Sequence, residues 1–249
     1  MQAKFDENLL EISDGRLYEP EDAVRVGCHE CEGCSDCCQG MGDTILLDPF
    51  DIDRLSKGLG LSFEQLLQGP VELHLEEGLI LPNLKMVSWT QKLTEYSRLR
   101  AQKGQKGRAK LMTPRTADEA CFFLNEEGRC SIHPLRPGFC RLFPMGRSYR
   151  EGKLFYFLLR EECPVKDKTE MKLEDWLAMP EGQEKEYEDF LLLWHRVSAA
   201  MREEVTRDPQ ALEENRRMSM TFLQYFYLKP YGDTFFEEFC QRALALGIR

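Results

Sequence analysis

The chain lacks the features of a secreted or membrane-spanning protein. No stretch of its 249 residues approaches the roughly 20 consecutive apolar residues that a membrane helix needs. Its first residues carry acids where a secretory signal has basic residues followed by an apolar run. We therefore expect a cytoplasmic protein with no membrane partner, in a compartment where thiols stay reduced.

Basic residues are also fewer than acidic ones, with 33 Lys and Arg against 43 Asp and Glu, and the formal net charge is −10. Nucleic-acid binding depends on basic surfaces that displace counterions, so this balance argues against a nucleic-acid partner. The exception is the stretch from Lys92 to Arg115, which is strongly basic and contains Gly104 and Gly107. It predicts an exposed loop, inserted over residues 92–116. The alternative is a docking arm over 92–115 for an acidic protein partner or RNA.

Cysteine, in contrast, is abundant and unevenly placed. Of the ten cysteines, nine fall between Cys28 and Cys163, and the run CHECEGCSDCC holds five of these from Cys28 to Cys38. In a reduced compartment, thiols at this density indicate metal ligation rather than disulfides. Thiolates are soft ligands, suited to Zn²⁺, Cu(I) and iron–sulfur clusters.

The spacing of the cysteines bears on which metal they hold. The C-x2-C-x2-C pattern is typical of bacterial ferredoxins, in which a further ligand precedes proline, as Cys163 precedes Pro164. This favours an iron–sulfur cluster of the 4Fe–4S type. Two zinc sites of four cysteines each, or one zinc site with spare thiols, stay open because structural zinc also uses CxxC pairs.

Local patterns predict short helices and hairpins around these cysteines. Asp48-Pro49 predicts the start of a helix that ends at Gly58, and Ser62 with Gln65 predicts a capping box for the next helix. Hairpin turns are predicted at 77–78, 125–128 and 151–152. The second turn would bring Cys121 and Cys130 close together.

The chain changes character near residue 169, where apolar residues begin to recur every three or four positions. This periodicity predicts a C-terminal bundle of three or four helices, with Cys240 packed in its core. The predicted fold class is α+β. It comprises an N-terminal lead-in (1–27), a cysteine-cluster metal-binding domain with short hairpins (28–168) and a helical region (169–249).

Arginines accompany the later cysteines, and Arg136 and Arg141 flank Cys140 most closely. A centre held by four thiolates carries a net charge of about −2. Guanidinium groups nearby would offset that charge and donate hydrogen bonds to sulfur. We expect Arg136 and Arg141 to support the bound metal centre in this way without ligating it.

Two blocks of sequence carry a family resemblance. CEGCSDCC (31–38) is followed by CFFLNEEGRCSIHPLRPGFCRLFP (121–144) and then by a single cysteine at 163. Together they resemble the YkgJ-type cysteine-cluster family, which is described as zinc- or iron-chelating. Cys28 lies outside the family's pattern and is an additional candidate. The ligands that the resemblance implies are Cys31, Cys34, Cys37, Cys38, Cys121, Cys130, Cys140 and Cys163.

A related group is similar to flagellin lysine-N-methylase, which implies methyl transfer from S-adenosylmethionine to a protein lysine beside an iron–sulfur cluster. The sequence has no G-x-G-x-x-G loop and no CxxxCxxC spacing that would support such an enzyme directly. We therefore expect a metal-binding protein with a structural, electron-transfer or sensing role. A zinc-stabilised interaction module and a cluster-containing lysine N-methyltransferase are the alternatives.

Overall fold

The computed structural model describes residues 7–27, 34–104, 118–177 and 179–248. These residues form short antiparallel strand pairs followed by a group of helices, which confirms the predicted α+β class. Cys28, Cys31 and residues 105–117, which contain the rest of the basic stretch, lie outside the described residues.

Among the described residues, the strands pair only in twos. The pairs are β1 (Ala23–Gly27) with β8 (Thr169–Lys172), β2 (Val71–Glu76) with β3 (Leu79–Leu84), β4 (Met86–Ser88) with β5 (Glu119–Cys121), and β6 (Met145–Arg150) with β7 (Lys153–Leu158). Two predicted hairpins are therefore present, as β2–β3 and β6–β7. The hairpin predicted around 125–128 is only a turn, closed by one bridge between Leu124 and Cys130.

The longest helix, α7 (Glu184–Thr206), lies in the C-terminal part of the chain. The helices are α1 (Glu7–Ile12), α2 (Pro49–Leu59), α3 (Phe63–Leu67), α4 (Trp89–Gln102), α5 (Gly138–Leu142), α6 (Leu173–Leu177), α7 (Glu184–Thr206), α8 (Leu212–Leu223) and α9 (Phe235–Ala245). Helix α8 continues through a π-helical turn over Gln224–Leu228. No helix in the described ranges is both long and apolar enough to cross a membrane.

Helix α2 begins as the sequence predicts and ends slightly later. The Asp48 side chain accepts a hydrogen bond from the Asp51 N–H at 2.8 Å, and the Asp51 side chain accepts one from the Asp48 N–H. The helix passes the predicted end at Gly58 and stops at Gly60, whose φ of +66° suits glycine. A Cβ at Gly58 would lie 2.4 Å from a terminal methyl of Leu135, so a larger residue there would displace that side chain.

The loop predicted from residue 92 is wrong over its first part, because residues 92–102 continue helix α4. Ser88 and Gln91 form a capping box at the start of this helix, at 3.3 and 3.2 Å. Trp89, Lys92 and Tyr96 are all buried, and their spacing of three and four residues puts them on one helix face. The apolar contacts of this face override the loop signal from the surrounding basic residues.

One hydrophobic core joins the cysteine-rich part of the chain to the C-terminal helices. The Phe50 ring of α2 lies 5.1 Å from the Phe235 ring of α9 and 5.1 Å from the Phe236 ring. The Ser219 hydroxyl of α8 accepts a hydrogen bond from the Ile80 N–H of β3 at 2.6 Å. The helices therefore cover the strand pairs as part of a shared core.

Two expectations for the C-terminal region are corrected. Residues 169–172, at the predicted start of the helical region, form strand β8 and pair with β1. Cys240 is exposed, so its predicted burial in the core of the last helix is wrong. The buried face of α9 contains Phe235, Phe239 and Ala243, and residue 240 is rotated by about 100° from residue 239.

Candidate metal centre

Six cysteines from three separate segments line one small cavity of about 50 Å³. Cys163 is described but is not among the lining residues, and its thiol acts electrostatically on Cys34. All the described cysteines are free thiols. The six lining cysteines are Cys34, Cys37, Cys38, Cys121, Cys130 and Cys140.

The first segment is a short 3-10 turn over Asp36–Cys38. The Cys38 N–H donates a hydrogen bond to the Ser35 carbonyl at 2.9 Å, which closes the turn. The Gln39 side chain donates to the Ser35 hydroxyl at 3.0 Å, and the Gln39 backbone bridges to Ala120 of β5. These contacts place the turn next to the second cysteine segment.

The second segment runs from Cys121 to Cys130. Cys121 is held by pairing with Met86 across the β4–β5 ladder. The Asn125 side chain accepts a hydrogen bond from the Arg129 N–H at 2.8 Å, which fixes the turn. The turn brings Cys121 and Cys130 to the same cavity, as the sequence predicts.

The buried amino group of Lys92 supports this second segment, and sequence reasoning missed it. It donates hydrogen bonds to the carbonyls of Phe122 and Leu124, the latter at 3.0 Å. Burial lowers the pKa of Lys92, while the nearby Cys121 and Cys38 thiols act against this shift. The sequence signal that points to a helical Lys92 is the capping box of Ser88 and Gln91, which predicts that a helix begins just before it.

The third segment carries Cys140 on the five-residue helix α5. The Asp51 carboxylate accepts a hydrogen bond from the Gly138 N–H at 2.7 Å. The Arg54 side chain donates to the Pro134 carbonyl at 2.9 Å. Helix α2 therefore positions the segment that presents Cys140.

The thiols differ in how readily they ionise. Burial raises the pKa of Cys121 to about 11 and that of Cys140 well above its usual range. A hydrogen bond from the Cys38 thiol lowers the pKa of Cys37 and raises that of Cys38, and nearby Arg136 lowers the pKa of Cys37 further. Metal binding at these residues therefore has to release protons.

The predicted supporting arginines lie in different places. Arg136 lines the cavity with Arg129 and acts electrostatically on Cys37 and Cys130. The Arg141 guanidinium donates to the Tyr187 hydroxyl at 3.0 Å and is not among the cavity-lining residues. The supporting role predicted for Arg141 stays a prediction.

The six lining thiols face one cavity. Within the described ranges, no three His, Cys, Asp or Glu side chains are grouped closely enough to hold one metal ion. A zinc ion bonded to each sulfur at ~2.3 Å needs its ligands within roughly 4 Å of one another. The donor set is thus chemically suited to soft metals, and its members face a common space.

Comparison with protein families identifies this part of the chain. A family model matches residues 30–164, more than half of the chain, and its description is CxxCxxCC, a putative zinc- or iron-chelating domain. No curated protein matches the chain, and no solved structure matches it. The similarity to flagellin lysine-N-methylase stays a prediction. The matched range contains all six cavity-lining cysteines, and the chain belongs to the CxxCxxCC family of zinc- or iron-chelating domains.

Proposed function

We propose that the chain holds an iron–sulfur cluster of the 4Fe–4S type on its family cysteines. The observation that carries this proposal is the convergence of six thiols from three segments on one cavity. A tetrahedral zinc ion uses only four ligands, drawn close together. A cluster presents several iron atoms at separate corners and accepts thiolates that are spread around it.

The charges around the cavity support the same proposal. Four thiolates around a cluster leave a net negative charge of about −2. Arg136 lines the cavity, and Lys92 lies behind Cys121. These cations offset the negative charge, and such surroundings tune the reduction potential of a cluster.

The proposed role of the metal centre is structural, and electron transfer or sensing would use the same centre. The cysteines lie on short turns, on the three-residue strand β5 and on a five-residue helix. Binding a shared metal centre would fix these segments relative to one another. Cys34, Cys37 and Cys130 are only partly buried, so the centre would lie close enough to solvent to exchange an electron with a partner.

Metal analysis of the whole chain tests the proposal. After anaerobic purification, iron, acid-labile sulfide and zinc are measured per chain together with the visible spectrum. About four irons and four sulfides with a broad visible band are expected. About one or two zinc ions without colour would overturn the cluster and establish the zinc-stabilised module instead.

A matched pair of variants assigns the metal to the cavity. Cys37→Ser removes a thiol of the cavity lining, whereas Cys240→Ser removes an exposed thiol on α9. We expect Cys37→Ser to lose most of its metal and Cys240→Ser to keep it. Equal metal content in the two variants would place the centre elsewhere.

A further inference from the structure

A second and larger cavity, of about 510 Å³, lies on the other side of helix α5 from the thiols. None of the described cysteines lines it. Its walls come from α2, α5, β6, β7, α7 and the π-helical turn after α8. Its volume is in the range of small-molecule sites, which are mostly apolar with a few placed polar groups.

One charged group of this cavity is Arg147 on β6. Its Nη2 donates a hydrogen bond to the Tyr187 hydroxyl at 3.1 Å. Its Nε is buried and has no hydrogen-bond partner within the part of the chain that the structure describes. A buried donor without a partner is costly, and an arginine suits a carboxylate in particular. Arg202 of α7 brings a second guanidinium to the same cavity, paired with Glu77 at 3.0 Å.

The carboxyl group of Asp48, at the start of α2, lies in the same cavity. Its Oδ1 accepts the Asp51 N–H at 2.8 Å, and no described group bonds to its Oδ2. Asp51 also lines the cavity, but its two oxygens accept from the Gly138 and Asp48 N–H groups. One carboxylate oxygen of Asp48 is therefore left as an acceptor.

The remaining walls are largely apolar and aromatic. Phe139 and Leu142 of α5, Phe157 of β7 and Trp194 of α7 all line the cavity. They offer contact area for a hydrophobic group without a further charge. The cavity therefore combines guanidinium groups and a carboxyl group with an apolar wall.

We propose that this cavity binds a small zwitterion, an α-amino acid or a close analogue with an apolar side chain. The ligand carboxylate pairs with Arg147 and Arg202, its ammonium group donates to Asp48, and its side chain packs on Trp194 and Phe139. A simple anion would leave the Asp48 acceptor unmatched, and a simple amine would leave the Arg147 donor unmatched. Unmatched buried polar groups weaken binding, so the zwitterion is preferred over both.

The cavity and the thiols share helix α5, and the proposed ligand binding does not depend on which metal the thiols hold. Helix α5 presents Phe139 and Leu142 to the cavity and Cys140 to the thiols. Ligand binding is therefore expected to change the environment of the centre, whether it contains iron or zinc. The proposal goes beyond metal binding and is tested by a readout that does not use the metal.

Isothermal titration calorimetry on the full chain as purified tests the ligand class. The probes are L-phenylalanine, L-leucine, L-methionine and L-tryptophan at up to millimolar concentration. The deamino and decarboxy analogues of the tightest probe follow, such as 3-phenylpropanoate and 2-phenylethylamine for L-phenylalanine. We expect saturable binding of an amino acid and about tenfold or weaker affinity for each analogue. No binding by any probe, or equal affinity for the analogues, would overturn the proposal.

Variants assign the binding to the cavity. Asp48→Asn keeps the helix cap, because asparagine caps as well as aspartate, but removes the charge. It should lower the affinity for the amino acid to that of the deamino analogue. Arg202→Gln should weaken binding, while Glu77→Gln breaks the same ion pair without changing the cavity lining and should not. Equal losses in Arg202→Gln and Glu77→Gln, or unchanged affinity in Asp48→Asn, would count against the assigned geometry.

Discussion

The two cavities of this protein differ in how their walls are held in place. The cysteines of the thiol-lined cavity come from a 3-10 turn, the three-residue strand β5, a turn and the five-residue helix α5. The larger cavity is bounded by the 23-residue helix α7 and the six-residue strands β6 and β7. Short segments have few internal contacts, whereas long helices and paired strands bring their own packing.

Aromatic packing shows the same contrast. The Phe190 and Phe239 rings lie 4.7 Å apart between α7 and α9, and the Trp194 ring lies 5.9 Å from the Phe226 ring. Burial of such rings stabilises the helices without any ligand. The cysteine segments have no comparable aromatic cluster among the described residues. We therefore expect bound metal to contribute more to the stability of the cysteine segments than to that of the C-terminal helices.

The largest expected effect is at the thiols. Cys140→Ser should release most of the metal and with it on the order of 10 kcal/mol of binding free energy. Hydrogen exchange should then rise over residues 34–40 and 121–140 while α7 and α9 stay protected. Cys240→Ser is the control and should behave as the unaltered protein. Equal loss of protection in α7 and in the cysteine segments would show that the two regions unfold together.

The next largest effect is expected on the stability of the C-terminal helices. Phe239→Ala removes a fully buried ring and should lower the free energy of unfolding by about 3–5 kcal/mol, measured by urea denaturation. The metal content per folded chain should not change. Leu244→Ala, at an exposed position of the same helix, should change stability by about 0.5 kcal/mol or less. Metal loss in Phe239→Ala would contradict the independence of the two regions.

A smaller effect on stability is expected at Asp48, which caps helix α2. Burial raises its pKa from 3.8 to about 7. The folded state therefore holds this proton more tightly than the unfolded state, and stability falls as the pH rises from about 4 to about 7. The total change is at most on the order of 4 kcal/mol.

Asp48→Asn should remove that pH dependence because the asparagine stays neutral and still caps α2. Urea denaturation at several pH values between about 4 and about 8 measures the slope for each protein. Asp233→Asn, at an exposed position, is the control and should keep the slope. A slope that survives in Asp48→Asn would assign it to another buried group.

The smallest effect is expected at Arg136, which lines the thiol cavity. Arg136→Gln should retain the metal, since arginine is not a ligand, and should change stability by roughly 1 kcal/mol or less. If the centre is a cluster, losing a nearby cation should lower its reduction potential. Redox titration measures this shift, with Arg217→Gln on α8 as the control. An unchanged potential in Arg136→Gln would mean that its charge does not reach the centre.

Several parts of the fold and the site were predictable because their signals are local. The turn after Leu124 and the hairpin turns at 77–78 and 151–152 each contain glycine at a position with positive φ. The cysteine motifs carry their own turns, so the convergence of Cys121 and Cys130 followed from the intervening residues alone. Capping boxes, such as that of Ser62 and Gln65, depend only on neighbours three residues apart.

Other features depend on contacts between distant segments. Asp48 and Arg147 meet in one cavity although about 100 residues separate them, and no local pattern brings them together. The sequence places Lys92 in an exposed loop, since its partners, the carbonyls of Phe122 and Leu124, lie 30 and 32 residues away and no local pattern reveals them. The four-residue spacing from Phe236 predicts that Cys240 packs in the core. In the structure a neighbouring face of α9 is buried instead, and Cys240 is exposed.

Helix α2 contacts the segment that carries Cys140, and these contacts fix the length of α2. Asp51 bonds Gly138, Arg54 bonds Pro134, and Gly58 makes room for Leu135. These three positions recur at helical spacing and share one face. Because each residue turns an α-helix by about 100°, inserting or deleting one residue between 51 and 58 would rotate part of that face away. Divergence in chain length should therefore be tolerated in the loops on either side of α2 and rejected within it.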